Sequence, residues 1–152
     1  MRVLFVCLGN ICRSPLAEAA FRREAEAAGL AVEIDSAGTG HWHVGKPPDR
    51  RAQAVALDGG VDISGLRARQ LVQSDYRDFT HIFAMDHENL AEIEAAAPDG
   101  ASAKIALLLS QIPGREGDAV VDPYYGGEEG FAQVWADVAE AARIIARDLA
   151  RI

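Results

Sequence analysis

Apolar residues first gather at Val3-Leu4-Phe5-Val6, an unbroken run that predicts a short strand buried on both faces. Over residues 14–28 the composition turns to Ala, Glu and Arg and predicts a helix. Ser14 suits its N-cap, Pro15 its first helical position, and Gly29 its end. Val32-Glu33-Ile34 opens a second strand that ends near Ser36-Ala37-Gly38. A loop with Pro47-Pro48 follows, then a helix over 49–58 stopped by Gly59-Gly60. Residues 81–85 predict a third strand, with Asp86 capping a helix that runs to about Ala97, before Pro98. Residues 105–109 predict a fourth strand entering a helical turn. The Gly-, Pro- and Asp-rich stretch 110–130 is expected to be an exposed functional loop. Phe131, Val134, Trp135, Val138, Ala142, Ile145 and Leu149 recur at helical spacing and define one buried stripe.

Strands alternating with helices predict an α/β fold: one domain over 1–152, with a four-stranded parallel sheet, helices on both faces and right-handed crossovers. Such sheets bind ligands beyond the carboxyl ends of their strands. Cys7, Trp42, Asp86 and Asp122 each follow one of the four strands, so all four are expected at one rim.

The net charge of −8 excludes a global basic field for nucleic acid or acidic lipid, so any anion site must be built locally. Both cysteines, Cys7 and Cys12, lie in one short motif, which fits a reducing cytosol better than a disulfide framework. Val3 to Val6 is too short for a signal-peptide core, and no run approaches the roughly 20 apolar residues of a membrane span. A soluble cytoplasmic chain without nucleic-acid or membrane partners is expected, with monomer as the default.

The chemistry concentrates between the first strand and the first helix, at Cys7-Leu8-Gly9-Asn10-Ile11-Cys12-Arg13. Backbone N–H groups from Leu8 to Arg13 can line an anion-binding nest, and the following helix adds the positive end of its dipole. Arg13 offers a bidentate fork to two phosphate oxygens. That setting favours the thiolate of Cys7, poised for in-line attack on phosphorus. Gly9 permits close backbone approach, and Asn10 tolerates positive φ. A lone cysteine at a strand end is more often an inert buried side chain. Gly9, Asn10, Arg13, Ser14 and Pro15 together reverse that preference.

With these residues in place, the chain resembles the low-molecular-weight protein tyrosine phosphatases. The match runs through Cys7 to Pro15, Asp35-Ser36-Ala37-Gly38-Thr39, Pro47-Pro48-Asp49, Ala68-Arg69-Gln70, Met85-Asp86 and Asp122-Pro123-Tyr124-Tyr125. The resemblance implies a four-stranded parallel sheet with its phosphate-binding loop after strand one. It also implies hydrolysis of phosphotyrosine in proteins, or of aryl phosphates, through a phosphocysteine, with no cofactor or metal. Cys7 would be the nucleophile, Arg13 the phosphate clamp and Asp122 the general acid and base. Leu8, Gly9, Asn10, Ile11, Cys12 and Arg13 would bind phosphate, with Trp42 and Tyr124 as aromatic walls. Asn10, Ser14 and Ser36 would hold the loop, Ser14 would also serve the Cys7 sulfur, and Cys12 would be a reversible redox partner. A small core side chain is an equal reading of Cys12. Leu66 stands where the family often has histidine, which implies a thinner outer network and a softer loop.

Other signals are weaker. Gly40 to Lys46 begins a nucleotide-binding pattern, but Pro47 replaces the Ser or Thr that would bind magnesium. His41 and His43 have no clustered ligands nearby in sequence, so no metal is assigned. An arsenate reductase would need cysteines after Cys12, and there are none. A phosphoarginine phosphatase tends to carry Thr where this chain has Ile11. A phosphocysteine carrier or binding module would not need Asp122.

Overall fold

The computed structural model describes residues 1–151. Its centre is a four-stranded, all-parallel sheet with the order β2-β1-β3-β4. The strands are β1 (Arg2–Cys7), β2 (Glu33–Gly38), β3 (His81–Ala84) and β4 (Lys104–Leu107). The helices are α1 (Arg13–Ala27), α2 (Arg50–Asp58), α3 (Asp75–Asp78), α4 (His87–Ala96) and α5 (Glu128–Leu149).

Alternation along β1 divides the core. Val3, Phe5 and Cys7 join a cluster with Leu16 and Phe21 of α1 and with Phe131, Val134 and Val138 of α5. Leu4 and Val6 join a second cluster with Tyr76 of α3 and Ile93 of α4. Successive strand side chains point to opposite faces, so a continuous apolar run is what a sheet covered on both sides requires. Phe5 lies edge-on to Phe21 at 5.6 Å and stacks on Phe83 at 5.9 Å. Tyr76 resolves its buried hydroxyl by donating to the Ile93 carbonyl at 2.6 Å.

Most helix ends match the expected punctuation. Asp86 caps α4 as expected, accepting from the Asn89 amide at 2.7 Å, whereas Asp49, expected as the first residue of α2, stands just outside it as its cap and accepts from the Arg51 amide at 2.9 Å. At the end of α1, Gly29 has φ 64. Its amide donates to Glu26 O, while Leu30 donates to Ala25 O, the two closing bonds of a Schellman motif.

Four expectations are corrected. Ser14 is not the cap of α1, because helical geometry begins at Arg13 and Cys12 holds the flanking position without a side-chain bond. Pro15 therefore sits at the third helical position, still within the first turn. Stretch 110–130 is not uniformly exposed: Leu109–Gln111 forms a 3₁₀ turn, Ile112 and Val120 are buried, and α5 starts at Glu128. Trp135 is only partly buried, with Arg23 over its ring and Gly59 beneath it. Helix α3 was not anticipated, since four residues carry no period; buried Asp75 anchors it by pairing with Arg69.

The sheet delivers the site through one close approach. The register pairs Cys7 with Gly38, and a Cβ on Gly38 would meet the Leu8 carbonyl oxygen at 2.8 Å. Gly38→Ala is therefore expected to lower stability by about 1–3 kcal/mol, the usual cost of overpacking against backbone. A urea unfolding midpoint equal to wild type would show that the loop yields without cost.

Candidate active site

Beyond the carboxyl end of β1 the chain turns through residues 8–12 and enters α1, wrapping the loop around the Cys7 sulfur. Asn10 adopts φ 57, the one positive φ among described non-glycine residues. That turn aims its amide at Cys7 Sγ, 3.3 Å away. The amides of Leu8, Gly9, Ile11 and Cys12 have no protein acceptor among the described residues. They form the concave donor set expected of an anion nest, at the start of a 15-residue helix.

A chain of buried hydrogen bonds holds this shape. The Asn10 side-chain nitrogen donates to Ser14 Oγ at 2.8 Å and Ser36 Oγ at 3.0 Å. Its oxygen accepts the Arg69 amide at 3.0 Å, which fixes the orientation of the group. Ser14 Oγ lies 3.1 Å from Cys7 Sγ and 3.4 Å from the Ala37 carbonyl. Having accepted from Asn10, the Ser14 hydroxyl has its own proton available for the nearer sulfur. Ser36 donates to Glu18 at 2.7 Å, and Arg22 closes the chain on Glu18 at 2.8 Å. Burial pushes the Glu18 carboxyl above its ordinary pKa, while Ser36 and Arg22 pull it back part of the way.

Arg13 is 2% exposed and fixed from one side. Its Nη1 donates to Asp86 Oδ2 at 2.6 Å and to the Val120 carbonyl at 3.0 Å. Nη2 lies 3.6 Å from Asp122 Oδ2. Burial opposes the guanidinium charge, but Cys7 and Asp86 outweigh it, and the pKa is raised further. With Nη1 committed to the protein, the Nε–Nη2 edge is the part available for a fork.

These groups form the floor of a cleft of about 400 Å³. Cys7, Leu8, Gly9, Ile11, Cys12 and Arg13 line its base, and Trp42, His43, Asp122, Tyr124 and Tyr125 rise around it. Asn10 does not line the cleft; it is buried and works from behind, through the sulfur and the two serines. Trp42 is 65% exposed and stacks on His41, so it stands at the mouth. Burial, followed by the nearby Asp49 charge, pushes the Cys12 thiol far above its ordinary pKa.

The structure therefore gathers Cys7, Arg13, Trp42, Asp86 and Asp122 at one rim, although they come from four separate parts of the chain. Leu66 packs on the apolar core and takes no part in the polar chain. Sequence reasoning gave no site role to Glu18, Arg69 or His43. Glu18 lay hidden as one acidic residue in a helix rich in Glu and Arg. The Arg69 contribution is a backbone amide, which leaves no side-chain signal. His43 owes its place to Gly9, where a Cβ would stand 2.9 Å from the imidazole.

Residues 2–152 match the family model for low molecular weight phosphotyrosine protein phosphatase. A relative of that name from Schizosaccharomyces pombe is 44% identical over 153 residues, covering 99% of this chain and 97% of its own. The crystal structure of an Entamoeba histolytica protein tyrosine phosphatase superposes with a TM-score of 0.92 at 37% identity, covering 98% and 96% of the two chains. A Drosophila arginine phosphatase superposes equally well, at 0.92 with 35% identity and 98% coverage of each. A cysteine and an arginine around one nest after the first strand, on this sheet and with these relatives, place the chain in the low molecular weight phosphotyrosine protein phosphatase family.

Proposed function

We propose that this chain hydrolyses phosphotyrosine in proteins by way of a phosphocysteine. The observation that carries the mechanism is the cleft floor: a thiol encircled by backbone amides, beside a buried guanidinium held on one edge by Asp86 and Val120. The Cys7 thiolate attacks phosphorus in line, and the S–P bond forms as the bond to the aryl oxygen breaks. Developing negative charge on the equatorial oxygens is met by loop amides and the Arg13 fork, already oriented before substrate arrives. Asp122, in its acid form, protonates the departing phenolate. As a carboxylate it then takes a proton from water, which attacks phosphorus and returns the thiolate. Ser14 favours that second step by hydrogen-bonding to the sulfur as it leaves.

Trp42 and Tyr124 support an aryl ester as substrate, because a phenyl ring entering between them is flanked by aromatic surface. Ile11 at the base adds an apolar contact suited to that ring. The equal overlap with an arginine phosphatase makes phosphoarginine the second reading. Side-by-side turnover of phosphotyrosine and phosphoarginine peptides decides between them. In an oxidised enzyme, Cys12 would serve as resolving thiol: a Cys7 sulfenic acid, formed by peroxide, condenses with it to a disulfide and releases water. The two free thiols support a cytoplasmic setting. Among the described residues no helix is long and apolar enough to cross a membrane. Each catalytic group comes from one chain, so a monomer suffices.

Cys7→Ser should abolish turnover of p-nitrophenyl phosphate while still binding vanadate or phosphate. Residual turnover above about one part in a thousand would remove Cys7 as nucleophile. Arg13→Lys should lower kcat/KM by about a hundredfold or more, because an ammonium cannot fork onto two oxygens. A loss of less than fivefold, about 1 kcal/mol, would count against the clamp. Asp122→Asn should slow phenyl phosphate about a hundredfold but p-nitrophenyl phosphate far less, since only the poorer leaving group needs its proton. Equal slowing of both esters would take Asp122 out of the proton-donor role.

A further inference from the structure

Asp122 lies in segment 121–127, which is exposed except at buried Pro123 and is tied to the protein by few polar contacts. Upstream it is pinned at buried Val120, whose amide donates to the Met85 carbonyl at 2.8 Å. Downstream it reaches the core at Phe131. Between them the backbone bonds are local: the Tyr124 amide to Asp122 Oδ1 at 3.1 Å and the Gly126 amide to the Pro123 carbonyl at 3.0 Å. The remaining polar tie of Asp122 itself is the 3.6 Å approach to Arg13.

Apart from the entry into α5, where the Gly130 amide donates to the Gly127 carbonyl at 3.2 Å, two hydrogen bonds join this backbone to the rest of the described residues, and both come from Arg51. Its Nη2 donates to the Tyr124 carbonyl at 2.9 Å and its Nη1 to the Gly126 carbonyl at 3.0 Å. The guanidinium is fixed in turn: Nε and Nη2 fork onto the Asp49 carboxylate at 3.0 Å each, and Cζ stands 4.5 Å from the centre of the Phe131 ring. Asp49 is also attached to the nucleophile loop, because its amide donates to the Ile11 carbonyl at 2.8 Å. One side chain therefore spans from the base of the cleft to the segment carrying the carboxylate.

We propose that Arg51 is a positioning residue that straps the 121–127 segment to α2 and sets where Asp122 stands relative to the leaving-group oxygen. This role presupposes Asp122 as the proton donor. Arginine is needed because the strap uses a fork on one edge and two further N–H groups on the other; a lysine ammonium at this site keeps attraction to Asp49 but cannot reach both carbonyls in one geometry. A purely structural role would slow every substrate alike, whereas a strap on the proton donor discriminates by leaving group.

The test compares Arg51→Lys with wild type, using Arg51→Gln should the lysine variant not fold. Phenyl phosphate turnover (kcat/KM) should fall about tenfold and p-nitrophenyl phosphate about twofold, a fraction of what loss of the acid itself costs. Vanadate affinity, which reports the Cys7–Arg13 loop, should stay within about twofold. In an Asp122→Asn background the Arg51 change should add less than about twofold, because the two act on one step. Equal slowing of both esters, or full additivity with Asp122→Asn, overturns the strap. Should Asp122→Asn itself show no leaving-group dependence, the proton-donor role fails separately, and amide hydrogen exchange then judges Arg51. Exchange at 121–127 about tenfold faster, with residues 8–12 unchanged, upholds the strap; unchanged exchange there removes it.

Discussion

The Asn10 side chain holds the centre of this molecule from behind. An L-residue in the left-handed region is unfavourable by itself, and the loop keeps it there because four polar partners converge on that residue. Its backbone amide meets the sulfur, its side-chain nitrogen meets two serines, and its oxygen meets Arg69. Without that turn the amides of residues 8–12 would have no common focus. The rest of the fold supplies supports for the same turn: Gly38 leaves room beneath it, Ser36 arrives from β2 and Glu18 from α1.

Arg13 obeys a different constraint. A buried guanidinium is unfavourable unless its donors are satisfied, and here both Nη1 hydrogens are taken, by Asp86 and the Val120 carbonyl. The carboxylate that caps α4 is thus also the one that aims Arg13. Two needs, a helix terminus and a buried charge, are met by the two oxygens of one residue. The same economy recurs at Asp49, which caps α2, grips Arg51 and reaches the nucleophile loop through its amide.

Legibility in the sequence followed the range of the interactions. The β1 run, the Asp86 cap, the Gly29 end and the α5 stripe are local patterns, and each was readable within a single element and its flanks. That Cys7, Arg13 and Asp122 meet at one rim was readable because motif and strand order both point there. Ser14 was misassigned as a cap: its type and place suited that role, but the nearby sulfur and Asn10 claimed its hydroxyl. Arg69, Glu18 and Arg51 were invisible for another reason. Their effect on the loop passes through a backbone amide, a second serine or a carbonyl many residues away, and none of those partners has a sequence signature.

The partners of Arg13 lie 73 and 107 residues further along the chain. During synthesis the cysteine leaves the ribosome first, and the α4 cap at Asp86 and the turn ending at Val120 follow much later. A nascent chain therefore carries the Cys7 thiol for most of translation without the guanidinium seated beside it. The seat of Arg13 is complete only as the last third of the polypeptide docks, so the loop and its guanidinium come together at the end of folding.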